Sequence, residues 1–200
     1  MKKLTSIFGK SIPLAMNDVD TDFIIPAQYL TSVSKQGYGE NLFRRAKESN
    51  PDFIFNQNKF NDANIIISQH NFGCGSSREH AVWALQEAGI EAIIAISFAD
   101  IFASNSAKNG LLLIEMHEDI INSLITHSYT GTFLLNIDII KQQISTSDGD
   151  SFVFAIDKFH QYCLINGIND LDYLLIHQEE IAFYRKFHSD FLAINNEEIA

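Results

Sequence analysis

The stretch that most constrains the fold is a short apolar run followed by a glycine turn and a helix-forming segment. Ala63-Asn-Ile-Ile-Ile-Ser68 is β-branched and uncharged, which reads as a buried strand. Residues 78–88 are rich in good helix formers, and Gly89 stands where a helix would end. Between them lies Asn71-Phe-Gly-Cys-Gly-Ser-Ser-Arg-Glu-His80, a strand-to-helix turn in which Gly73 and Gly75 allow backbone angles that a side chain would block. Ser76 followed by Glu79 fits a capping box and predicts Ser76 as the helix N-cap. Free N–H groups and the positive end of the helix dipole would then converge near Ser76, Ser77 and Arg78, which suits a small anion. The plainer reading is a tight, well-capped turn, with Cys74 a packed residue.

The rest of the chain alternates in the same way. Residues 91–96 and 111–114 read as buried strands, with a helix over 98–108 between them, opened by Ser97 and closed by Asn109-Gly110. Strands and helices of these lengths argue for parallel βαβ units in an α/β domain. Residues 52–55 suggest a short strand, and 118–127 an amphipathic helix. Strands over 132–140 and 151–156 are joined through the turn residues Asp148-Gly149. Asp157 caps a helix through Asn166 with Gly167 after its end, and residues 170–187 form a final helix. Phe159, Tyr162, Tyr173 and Phe183 read as core or interface residues, not as a cofactor box.

A chain of 200 residues suits one domain with an ample core, here with a C-terminal helical extension over about 157–200. With 46% hydrophobic and 20% charged residues it is globular, and it has no apolar run near the length of a membrane span. Residues 4–12 are interrupted by Thr, Ser, Gly and Lys, which argues against a signal peptide. A net charge of −11 without a basic stripe argues against nucleic acid, and means that an anionic substrate needs local positive groups. The two cysteines, Cys74 and Cys163, read as reduced cytoplasmic thiols. They are too few for an iron–sulfur cluster, and no cluster has zinc-like spacing, so any metal must be held by another chain.

Asn71-Phe-Gly-Cys-Gly-Ser-Ser-Arg-Glu-His-Ala81 resembles the signature of the aconitase swivel-domain family, most closely as the small subunits of isopropylmalate dehydratases carry it. Asp18-Val-Asp-Thr-Asp22 followed by Ile24-Ile-Pro26 matches a second motif of those subunits. Its acidic triplet lacks the glycine and glutamate of a calcium loop, and by itself reads as turn capping. The resemblance spans nearly the whole chain and implies a single swivelling β/β/α domain. It implies a hydro-lyase that isomerises a hydroxy-dicarboxylic acid by removing water and adding it back, as in leucine biosynthesis.

In that reading Ser76 is the base, made feasible by fixed donors at the turn, where the backbone of Gly73, Cys74 and Gly75 contributes. Ser77 and Arg78 hold a substrate carboxylate, and Asp20, Thr21 and Asp22 support the cleft and the partner interface. The polar connection over 28–50 implies substrate recognition, with Arg44, Arg45 and Lys47 all candidates. A 4Fe-4S cluster is implied on a partner large subunit, with none in this chain. Related subunits acting on citramalate, 2,3-dimethylmalate or homoaconitate remain the runner-up. A Cys74 enzyme using His70 or His80, or a purely binding subunit, are readings of other classes.

Overall fold

The computed structural model describes residues 1–30 and 36–187. The expectations that fall on 31–35 of the 28–50 connection, and on 188–200 of the extension, lie outside the described residues. One sheet of seven strands organises the molecule, in the order β4-β3-β2-β1-β5-β6-β7. Its hub is β1 (Ser6–Pro13), which pairs in parallel with β2 (Ala63–Ile67) and antiparallel with β5 (Leu134–Asp138). Sequence reading assigns no element to this segment, because Gly9, Lys10 and Ser11 break its apolar pattern. Strand pairing on both edges overrides that weak local signal.

On one side of β1 the sheet continues in parallel through β2, β3 (Ala92–Ala95) and β4 (Leu112–Glu115). On the other it is antiparallel, with β5 followed by β6 (Gln143–Thr146) and β7 (Ser151–Val153). The expected turn at Asp148-Gly149 therefore joins β6 to β7, and β6 is a strand that its polar Gln-Ile-Ser-Thr sequence conceals. The sheet is thus half parallel and half antiparallel, not doubly wound.

Alternate residues of the central strands enter two separate cores. Ile12, Ile66 and Ile93 pack with residues of α1 (Thr21–Ile24), α3 (Glu79–Glu87) and α4 (Asp100–Asn109). Ile65, Ile67 and Ile94 pack with residues of α5 (Glu118–Ser128) and α6 (Lys158–Asn166). The short α2 (Arg44–Ser49) follows the buried pair Leu42 and Phe43. Asp157 caps α6 by accepting from the N–H groups of Phe159 and His160, and Gly167 closes it in the left-handed conformation, as anticipated.

Two local readings are corrected. Residues 52–55 have no strand partner; Ile54–Asn56 is a 3-10 turn, and Phe53 and Phe55 join Phe43 and Phe23 in an aromatic cluster. The final helix is broken at His177 into α7 (Asp170–Ile176) and α8 (Gln178–Phe187). Tyr162 and Phe183 are exposed, while Phe159 meets Tyr173 edge to face at 4.9 Å.

Candidate active site

The turn after β2 is held from both sides. Gly73 N–H donates to the Val19 carbonyl at 2.7 Å, and Thr21 N–H donates to the Cys74 carbonyl at 2.9 Å. Thr21 Oγ1–H donates to the Ser76 carbonyl at 2.8 Å. Across the turn, Phe72 N–H bonds the Ser97 carbonyl and Ala99 N–H bonds the Phe72 carbonyl. Gly73 sits at φ +81°, and a Cβ there would lie 2.1 Å from the Phe102 ring, so the aromatic anchor of α4 demands glycine.

These ties move the helix start. Ser76 is not the N-cap: Arg78 is still extended (φ −133°, ψ 100°), and α3 begins at Glu79 without a side-chain cap. The capping box does not form: the Glu79 carboxylate, which would reach back to the Ser76 N–H, accepts instead from Asn109 Nδ2 at 2.7 Å, and the Ser76 carbonyl is held by Thr21. Likewise α4 starts at Asp100, not Phe98, because Ser97 Oγ accepts from Asn71 N–H at 2.9 Å and Ala99 is bound to Phe72.

A cleft of about 210 Å³ opens here, lined by Thr21, Gly75, Ser76, Ser77, Arg78 and the first turn of α4. Gly75, Ser76 and Ser77 are exposed at the tip, and among the described residues neither hydroxyl is engaged in a hydrogen bond. Arg78 is the more enclosed cation, its side chain 18% exposed, and its Nη1 donates to Asp22 Oδ1 at 2.5 Å. Arg45 Nη1 donates to the other oxygen of Asp22 at 2.8 Å. Two guanidiniums thus share one carboxylate near the serines, while Asp100 also lines the cleft. The Arg78 bond, and next the Ala27 N–H, hold the Asp22 carboxyl below the usual carboxylate range.

Comparison with known proteins decides the family. The aconitase C-terminal domain family matches residues 1–119. A 3-isopropylmalate dehydratase small subunit from Francisella tularensis subsp. novicida is 48% identical over 185 residues, covering 92% of this chain and 96% of that one. The protein of the same name from Saccharophagus degradans is 40% identical over 199 residues, covering 92% and 93%. The chain belongs to the aconitase C-terminal domain family. Within that family the crystal structure of 3-isopropylmalate dehydratase from Methanocaldococcus jannaschii aligns at TM-score 0.65 and 28% identity, over 90% of this chain and 99% of that one. The half-parallel, half-antiparallel sheet is therefore the fold of the aconitase C-terminal domain.

In this aconitase-type domain the three basic candidates of the 44–47 segment have different partners. Arg45 meets Arg78 at Asp22, whereas Arg44 turns to Glu48 at 2.7 Å and lies over the Tyr29 ring. Lys47 lies 5.9 Å from the Phe55 ring centroid, and burial lowers its pKa. Asp20 caps α1 by accepting from Phe23 N–H at 2.6 Å, and Asp18 accepts from Asn71 Nδ2 at 2.7 Å. The alternative of an activated Cys74 is not favoured: burial, and then Asp20 and Asp18, push its thiol up, away from the thiolate. His80 is occupied in a ring cluster with Tyr38 and Trp83.

Sequence reading missed Ala99, Asp100 and Ile101 as the second wall of the cleft, since nothing local links them to the glycine turn. A larger hollow of about 320 Å³ lies beside Met1 and Gly110, where Lys2 and Glu91 pair with each other at 3.4 Å. Among the described residues no group of three or more His, Cys, Asp or Glu could hold a metal ion. Cys163 is buried in α6 among apolar residues, so the residues of this chain do not fit an iron–sulfur cluster. No helix of the described residues is long and apolar enough to cross a membrane.

Proposed function

We propose that this chain is the small subunit of a 3-isopropylmalate dehydratase, interconverting 2-isopropylmalate and 3-isopropylmalate through 2-isopropylmaleate in leucine biosynthesis. The observation that carries the reading is the meeting of Arg78 and Arg45 at Asp22 beside the exposed Ser76 and Ser77. A hydroxy-dicarboxylate needs cationic anchoring, and a planar guanidinium grips a carboxylate at two points. Ile101, 53% exposed on the cleft wall, offers apolar surface to an alkyl substituent.

The reaction removes a proton from the carbon beside a carboxylate and a hydroxyl from its neighbour, releasing water, and then returns water with the two positions exchanged. Ser76 takes the carbon-bound proton. An alkoxide is accessible there because the guanidiniums and the backbone N–H groups of the turn and of the first turn of α3 stabilise its charge. Ser77 and Arg78 hold the carboxylate whose neighbouring carbon loses the proton, and Arg45 adds a second cation. Gly73, Cys74 and Gly75 shape the turn, and Asp20, Thr21 and Asp22 brace it. The Lewis acid for the departing hydroxyl belongs to a 4Fe-4S cluster on a partner large subunit. In this proposal the chain is one swivel domain with a helical extension over about 157–200, acting in the cytoplasm.

The test is reconstitution with a cluster-bearing large subunit, followed by exchange of the substrate's carbon-bound proton with deuterium. Ser76→Ala should fold, join the complex and lose exchange. Exchange that survives in Ser76→Ala would remove Ser76 as the base. Faster turnover of citramalate, 2,3-dimethylmalate or homoaconitate than of isopropylmalate would move the chain to a related hydro-lyase.

A further inference from the structure

Glu87 is the last residue of α3, and its carboxylate bonds the connection that leads into α2. A carboxylate at a helix C-terminus faces the negative end of the dipole and the unbonded carbonyls, where a cation is the stabilising choice. Glu87 instead accepts three backbone N–H groups. Gly37 N–H reaches Oε1 at 2.7 Å, while Tyr38 and Gly39 reach Oε2 at 2.6 and 2.8 Å. These donors, Gly37 and Gly39 foremost, hold its carboxyl below the usual range. The approach is close enough that a Cβ on Gly39 would lie 2.9 Å from the Ala88 nitrogen.

The tethered segment has a destination. Tyr38 buries its ring against His80 and Trp83 of α3, with centroids at 5.2 and 6.0 Å. The chain then passes through buried Leu42 and Phe43 into α2, where Arg45 reaches Asp22. Arg78 reaches the same carboxylate from the residue just before α3. One end of α3 thus carries Arg78, and the other holds the segment that leads to Arg45.

We infer that Glu87 is a positioning residue for the second guanidinium, fixing Gly37, Tyr38 and Gly39 to α3 so that Arg45 and Arg78 converge. The inference rests on the proposed reading, in which Arg45 meets the substrate. Glutamine at this position has one acceptor oxygen, and its amide group would face N–H donors it cannot accept from.

The test uses the complex with its large subunit, in wild-type form and with Glu87→Gln, Glu87→Ala, Arg45→Ala and the Glu87→Gln/Arg45→Ala pair. Amide exchange at Gly37, Tyr38 and Gly39 should speed up in both Glu87 variants. KM for isopropylmalate should rise about tenfold with kcat within about twofold. Adding Glu87→Gln to Arg45→Ala should change KM little further, as for residues acting through one another. Faster exchange with unchanged KM would reduce Glu87 to a structural tether, and additive effects would break its link to Arg45. Unchanged exchange would overturn the tether itself, whatever the activity. A wild-type complex inactive on isopropylmalate would instead sink the functional reading, while exchange still reports on the tether.

Discussion

Arg78 Nη1 donates to Asp22 Oδ1 at 2.5 Å, joining residues 56 apart in sequence across the mouth of the cleft. Because Asp22 also holds Arg45, one carboxylate aligns the two guanidiniums that the proposed function assigns to the substrate. Arg78 is also bonded through Nη1 to the Ile25 carbonyl at 3.3 Å, so its orientation is fixed before any ligand arrives.

Asp22→Asn should release both guanidiniums. Losing a charge-assisted contact costs about 1.5–3 kcal/mol, or roughly a ten- to hundredfold loss in kcat/KM. Steady-state kinetics of the complex check this, with thermal unfolding as the control for folding. Retention of wild-type kcat/KM would show that the arginines are aligned without Asp22.

The pH dependence of that pair follows from the lowered Asp22 pKa. A carboxyl whose folded pKa is depressed adds stability above its unfolded value, and that stability is lost as pH falls through the folded pKa. Asp22 should therefore stay ionised from about pH 5 to 8 and contribute no acid limb to KM there, given an ordinary carboxylate pKa near 4. A KM profile that climbs between about pH 6 and 5 in wild type but is flat in Asp22→Asn would contradict this.

Arg78→Lys should fold normally and lose about 1.5–3 kcal/mol of transition-state stabilisation, since lysine lacks the two-point grip. Arg44→Ala should change kcat/KM by less than about threefold, because exposed pairs such as Arg44–Glu48 are worth little. Equal losses in both variants would mean that the 44–47 segment moves on binding.

Gly73→Ala should destabilise the domain by about 2–4 kcal/mol, combining left-handed strain with overpacking against Phe102. Denaturant unfolding measures it directly. A companion Phe102→Leu change should recover part of the loss if the ring is the obstacle; no recovery would assign the whole cost to the backbone.

Cys74 should alkylate slowly at neutral pH, with a reaction midpoint above that of a free thiol, because burial and then Asp20 and Asp18 disfavour the thiolate. Cys74→Ser should leave proton exchange from the substrate largely intact. Rapid alkylation at pH 7 together with loss of exchange in Cys74→Ser would revive the cysteine reading.

Elements whose signals are local can be read from the residues alone. The apolar runs of β2, β3 and β4 mark buried strands, and Asp157 and Gly167 mark both ends of α6, because caps and periodicity act within a few residues. The glycine-serine turn and Arg78 were legible for the same reason, as was the acidic motif around Asp22. What depends on partners tens of residues away emerges only once the chain has folded. Folding made the interrupted segment Ser6–Pro13 the hub of the sheet, since two neighbouring strands supply the pairing that its own pattern does not predict. It moved the start of α3 to Glu79, because Thr21 ties down the Ser76 carbonyl and Asn109 takes the Glu79 carboxylate that a capping box would use. It also gave Arg45 a different partner from Arg44 and Lys47: on so short a helix the three are alike in sequence, and only Arg45 reaches Asp22.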